Sequence, residues 1–120
     1  MSHLVTIQTR LHDAAAVAAA CKRLGLPEPV HGTARLYGGE AEGLVVRLPG
    51  WRYPAVIDVL TGAVRFDTFE GRWGDQKHLD RLLQAYAAEK VRLEARKKGH
   101  AVAEQQLPDG SLRLTIVEGP

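Results

Sequence analysis

The densest interaction chemistry in this chain lies in Pro49-Gly50-Trp51-Arg52-Tyr53-Pro54. Trp, Arg and Tyr are the residue types most enriched where binding energy concentrates. Prolines on both sides restrict the free chain, so less conformational entropy is lost when it binds. Arg72-Trp73-Gly74 adds a second indole. Trp51, Arg52 and Tyr53 are therefore candidate partner contacts, with Trp73 as support. A competing structural reading folds Trp51 or Tyr53 over a sheet edge to seal the core.

The other reactive side chains do not assemble into a catalytic pattern. The five histidines, His3, His12, His31, His78 and His100, form no His-x3-His pair, and Cys21 is the one thiol, so no local pair can grip a metal ion. Cys21 falls on the apolar stripe of a helix, where a thiol packs as a small hydrophobe. Ser2 and Ser111 lack the Gly-x-Ser-x-Gly elbow. Glu40 and Glu42 share a strand face, and Asp67 and Glu70 precede Trp73; all four read as solvated charges. Gly38-Gly39 and Gly43 lead into strand residues rather than a helix N-terminus, which favours a turn or bulge over a phosphate cradle. Arg35, Tyr37, Arg47, Trp51, Arg52, Tyr53, Arg65 and Trp73 mix cations with stacking surfaces, as single-stranded nucleic-acid binders do. Glu40, Glu42, Asp58, Asp67 and Glu70 dilute that field.

Composition bounds these readings. The 120 residues suit one domain, and 45% hydrophobic with 25% charged content is ordinary for a globular protein. A net charge of +2 does not by itself call for a polyanion. One cysteine excludes an internal disulfide and suits a reducing compartment. No apolar run reaches the roughly 18 residues of a membrane span. The absence of a basic-then-apolar leader pattern adds the expectation of a soluble cytoplasmic protein.

The elements that would position these side chains follow from periodicity. Val5, Ile7 and Leu11 alternate with polar residues in a half-buried first strand. Asp13 offers an N-cap for a helix over 14–24 with Val17, Ala20, Cys21 and Leu24 on its buried stripe. Gly25, Leu26 and Pro27 stop it. His31 to Tyr37, Leu44 to Leu48, Ala55 to Leu60 and Val64 to Asp67 read as strands, the last two joined by a tight turn at Gly62. In the last strand Val64 and Phe66 point inward, Arg65 and Asp67 outward. Asp75 caps a second helix with Leu79, Leu82, Leu83, Tyr86, Ala87, Val91 and Ala95 on its stripe, ending at Gly99. Ala101 to Gln106 and Leu112 to Ile116 flank the turn Pro108-Asp109-Gly110. The order βαββββαββ predicts a single α+β domain, with one antiparallel sheet and both helices on one face.

The opening Met1-Ser2-His3-Leu4-Val5-Thr6-Ile7 through Asp13, the Leu36-Tyr37-Gly38-Gly39-Glu40 stretch, Trp73-Gly74, and Asp109-Gly110-Ser111-Leu112-Arg113-Leu114 resemble the Ycf-thirty-five-like proteins of chloroplasts, cyanobacteria and other bacteria. That family has no assigned function, so the resemblance implies a fold and no catalytic residue. It also implies an accessory role beside an AAA-type ATPase or a redox partner. The leading hypothesis is a non-enzymatic protein-interaction module without cofactor or metal. A second is a small-ligand or nucleotide-linked enzyme with its site between the sheet and His3, Tyr37 and His78. A third is a single-stranded nucleic-acid binder. Self-association through exposed sheet edges is a further expectation.

Overall fold

The computed structural model describes residues 4–118; His3 lies outside them. Nine elements follow in the expected order: β1 (Leu4–Gln8), α1 (Ala14–Arg23), β2 (Val30–Leu36), β3 (Gly39–Val46), β4 (Ala55–Asp58), β5 (Ala63–Asp67), α2 (Gln76–Lys97), β6 (Ala101–Gln106) and β7 (Leu112–Val117). The caps act as their chemistry dictates. Asp13 accepts from the amides of Ala15 and Ala16, and Asp75 accepts from that of Lys77. α1 ends when Gly25 takes φ +70, so that its amide reaches the Lys22 carbonyl and the Leu26 amide the Cys21 carbonyl.

β1 to β5 form an antiparallel sheet in the spatial order β1-β5-β4-β3-β2. Cross-strand register splits its two faces. Ile7, Val64, Ile57 and Leu44 stand side by side in one row, and Thr6, Arg65, Val56 and Val45 in the next. The first row faces both helices. There Val46, Ile57, Val64 and Phe66 meet Val17, Ala20 and Cys21 of α1 and Leu79, Leu82 and Tyr86 of α2 in one buried cluster.

The second face is partly covered as well. Leu36, Ala41 and Val56 are buried together, with Ala34, Val45 and Tyr53 packed around them. The β2–β3 hairpin reaches this position through the cross-strand pair Gly32–Gly43. Gly43 has φ +155, and a Cβ there would stand 2.3 Å from the Ile57 carbonyl oxygen. Only a residue without a side chain lets β3 pass so close to β4.

The expectation of a single sheet requires correction. β6 and β7 form a separate two-stranded sheet. The chain reverses at Gly99 and runs back along α2, as far as a hydrogen bond from Gln84 Nε2 to the Gly110 carbonyl at 2.9 Å. Glu104 binds Arg23 of α1 and, at 3.3 Å, Arg92 of α2. The hairpin is thus committed to the helices, and its two strands pair with each other rather than with an edge of the larger sheet. No helix among the described residues is long and apolar enough to cross a membrane.

Candidate functional site: an aromatic–arginine cluster beside a basic groove

Three connections meet beyond one end of β5. The β2–β3 turn brings Tyr37 and Gly38, the β3–β4 loop brings Trp51, Arg52 and Tyr53, and the β5–α2 loop brings Phe69, Arg72 and Trp73. The two longer loops are tied by the Arg52 amide, which donates to the Trp73 carbonyl at 2.7 Å. Trp51 anchors this junction from inside. Its indole packs 5.6 Å from the Phe66 ring, and its Nε1 donates to the Asp75 carbonyl at 2.9 Å. A Cβ on Gly74 would fall 2.7 Å from the indole, so this glycine provides the seat for the ring. With Trp51 turned inward, Arg52 and Tyr53 take the outer positions of the loop.

Trp73 is the hub of the outer cluster. Phe69 stacks on it at 4.9 Å, Tyr37 tilts against it at 5.1 Å, and Tyr53 meets it edge-on at 5.6 Å. The Arg52 guanidinium lies 5.3 Å from the Trp73 ring centre and 5.8 Å from that of Tyr53. Arg72 lies 4.9 Å from the Phe69 ring. Each separation is within the range in which the ring quadrupole attracts a cation. The loop holding Phe69 is strained. Phe69 and Glu70 have φ of 47 and 54, a conformation that costs a bulky L-residue on the order of 1 kcal/mol or more. The turn persists because the Gly71 and Trp73 amides both return to the Thr68 carbonyl, at 3.1 and 2.9 Å.

Asp67 corrects a second expectation, for it is no solvated charge but completely buried. Its strand parity is as expected, on the face away from the helices. The β2–β3 turn closes over that face, however, and the Gly38 amide donates to Asp67 Oδ2 at 3.1 Å. Oδ1 has no hydrogen-bond partner among the described residues. A buried carboxylate with an open acceptor position is costly, and the surrounding structure must hold it in place.

Adjoining the cluster on the same face is an open groove of about 680 Å³. Val30, Ala34 and Val45 contribute apolar walls, while Arg35, Arg47, Arg52 and Tyr53 bring charge and a phenol. Elsewhere, Arg23, Lys77, Lys90, Arg92 and Lys97 form ion pairs. Lys90 binds Asp13 at 2.8 Å and Glu94 at 3.0 Å, and Arg23 binds Glu89 at 3.5 Å. The Lys90 hydrogen bond, assisted by the Ala16 and Ala15 amides, holds the Asp13 carboxyl below its ordinary range against the opposing effect of burial. Cys21 packs in the buried cluster between sheet and helices, and burial pushes its thiol up.

The structure thus unites four of the residues singled out in the sequence, Tyr37, Arg52, Tyr53 and Trp73, and places Trp51 beneath them. His78 stands half-buried in the first turn of α2. Sequence reasoning missed Phe69, Arg72 and the buried state of Asp67. Among the described residues, no three metal-ligating side chains converge.

A family model described as a protein of unknown function, DUF1257, matches residues 47–115. This is more than half of the chain, which belongs to that family. The matched stretch carries Arg52, Tyr53, Asp67 and Trp73, whereas Tyr37 precedes it. No curated protein and no solved structure matches the chain.

Proposed function

We propose that this DUF1257 protein is a non-enzymatic interaction module of the cytoplasm that binds a protein partner through Arg52, Tyr53, Trp73 and Tyr37. The observation that carries the reading is the convergence of these residues from three separate connections onto one surface. Tyr37 remains 59% exposed there. A strained loop at Phe69 and Glu70 and a buried carboxylate at Asp67 both have a folding cost that core packing does not require. Such costs are characteristic of surfaces shaped for binding. The Ycf-thirty-five-like resemblance supplies the kind of complex we propose: an assembly around an AAA-type ATPase or a redox partner, in which this chain is an accessory subunit.

The enzyme hypothesis draws less support, because it needs a polar pocket uniting His3, Tyr37 and His78. The space between sheet and helices is filled by Val17, Cys21, Ile57, Val64, Leu79 and Leu82, all essentially inaccessible to solvent.

Native mass spectrometry of the tagged protein drawn gently from its source cells tests the proposal. Added mass equal to another polypeptide is the expected result. Arg52→Ala and Tyr53→Ala should then each weaken that complex by about tenfold or more, as a binding hot spot does. Unchanged affinity in both folded variants refutes the assigned surface. A retained nucleotide or metabolite in place of a polypeptide refutes the interaction reading itself.

A further inference from the structure

Resting on the reading just proposed, the geometry points to the partner's chemistry: we infer that the groove beside the cluster takes an extended acidic peptide segment, laid along the free edge of β2 as a sixth strand. Two independent features converge on it. The first is charge. Arg35, Arg47 and Arg52 line the groove, and none of them forms an ion pair among the described residues. Glu40 stands opposite Arg35 in the β2–β3 register without pairing to it, and Glu28 is the one carboxylate in the lining. The groove thus gathers three guanidiniums that no carboxylate among the described residues neutralises. Guanidinium forks hold carboxylates in pairs of charge-assisted hydrogen bonds, which a segment rich in Asp and Glu would supply.

The second feature is the strand edge. β2 is the outermost strand and pairs with β3 alone. Alternate residues of Val30–Leu36 therefore direct their N–H and C=O groups away from the sheet. Proteins commonly blunt such an edge with lysine, proline or a bulge. Within β2 there is neither lysine nor proline, and Val30 is 66% exposed. Because Val30, Gly32 and Ala34 also line the groove, a strand added at this edge would set one alternate set of its side chains toward Arg47 and Arg52, and the other set toward Arg35 on the opposite face of β2.

The charge also selects among occupants. A second copy of the chain, paired edge to edge on β2, would bring two sets of unpaired arginines together. A single-stranded nucleic acid would satisfy the charge, but base stacking requires open ring faces, whereas Trp73 already carries Phe69 and Arg52 on its ring.

The test is a selection of randomised nonapeptides on the full chain, with the folded double variant R35E/R47E as counter-selection. Neither position belongs to the Arg52–Tyr53–Trp73 surface. Selected peptides should carry Asp or Glu at alternate positions and lose about tenfold or more in affinity on the variant. Methylating backbone nitrogens on one alternate set should abolish binding, and methylating the other set should not. Absence of acidic enrichment, or indifference to both methylated sets, overturns the inference. Tighter binding of a uridine oligomer than of any peptide replaces it with the nucleic-acid reading. A native partner lost on Tyr53→Ala but kept on R35E/R47E would sink this inference and leave the interaction module standing. Acidic peptides captured at Arg35 and Arg47, with Tyr53→Ala without effect on the native complex, would do the reverse.

Discussion

The β2–β3 hairpin can be moved by one methyl group. Gly32 and Gly43 face each other across the two strands, yet their surroundings are opposite. A Cβ on Gly43 would stand 2.3 Å from the Ile57 carbonyl oxygen and 2.9 Å from its carbon. Both are backbone atoms of β4 and cannot rotate aside. The φ of +155 adds strain for any L-residue. Residues forced into such conformations cost about 1–3 kcal/mol, and overpacking that displaces backbone costs a similar ~1–3 kcal/mol. Gly43→Ala should therefore lose about 2–6 kcal/mol. At roughly 4 °C per kcal/mol for a chain of this size, that lowers Tm by about 8–24 °C. Gly32→Ala meets no atom within 4 Å and has no positive φ. It should stay within about 0.5 kcal/mol of the parent, or gain slightly from a stiffer unfolded chain. Thermal melts followed by circular dichroism compare the two. Tryptophan emission should shift in Gly43→Ala alone, because displacing the hairpin withdraws Tyr37 from Trp73. Equal melting points for the two variants would refute this account of how β3 crosses β4.

Three further outcomes follow from the same geometry. Asp67→Asn keeps an oxygen for the Gly38 amide and removes a buried charge that lacks a second partner; it should be at least as stable as the parent in urea, while Asp67→Ala should lose about 1–3 kcal/mol. Asp13→Asn preserves the helix cap and removes the charge facing Lys90. The folded-state pKa of Asp13 is lowered, so its stabilisation is present above the unfolded value of about 3.9 and is lost as pH falls through the folded one. The deficit in urea midpoint should thus be constant from about pH 5 to 8 and vanish in stronger acid. Glu104→Ala removes the shared partner of Arg23 and Arg92. Hydrogen exchange should then accelerate in β6 and β7 while β4 and β5 keep their protection, since a two-stranded sheet is marginal without its contacts.

What the sequence disclosed was local. Asp13, Gly25, Asp75 and Gly99 mark helix ends by chemistry that acts within a few residues, and they stand where that chemistry puts them. The β4–β5 hairpin was legible because alternation and the turn at Gly62 agree. The separate C-terminal sheet was not, because whether β6 and β7 join an edge or lie on α2 depends on where a 22-residue helix delivers the chain. Within the site, composition singled out Arg52, Tyr53 and Trp73, and could not tell that Trp51, their neighbour, turns inward. That outcome is decided by Gly74, whose missing side chain makes room for the indole from more than twenty residues away.

Asp67 shows the same logic at the centre of the site. Strand alternation in Val64-Arg65-Phe66-Asp67 places Asp67 with Arg65, and Arg65 is indeed exposed. The difference between the two is a lid made by Tyr37 and Gly38. It can lie there only because Gly43 lets the hairpin cross β4, and the Gly38 amide then meets the carboxylate. The closure that buries Asp67 also brings Tyr37 to Trp73, and the loop tie from Arg52 to Trp73 carries Arg52 and Tyr53 to the same place. The interaction surface and the buried carboxylate are thus two results of one fold-over. A substitution at Gly43, remote in sequence from Arg52 and Trp73, should consequently weaken partner binding as well as stability.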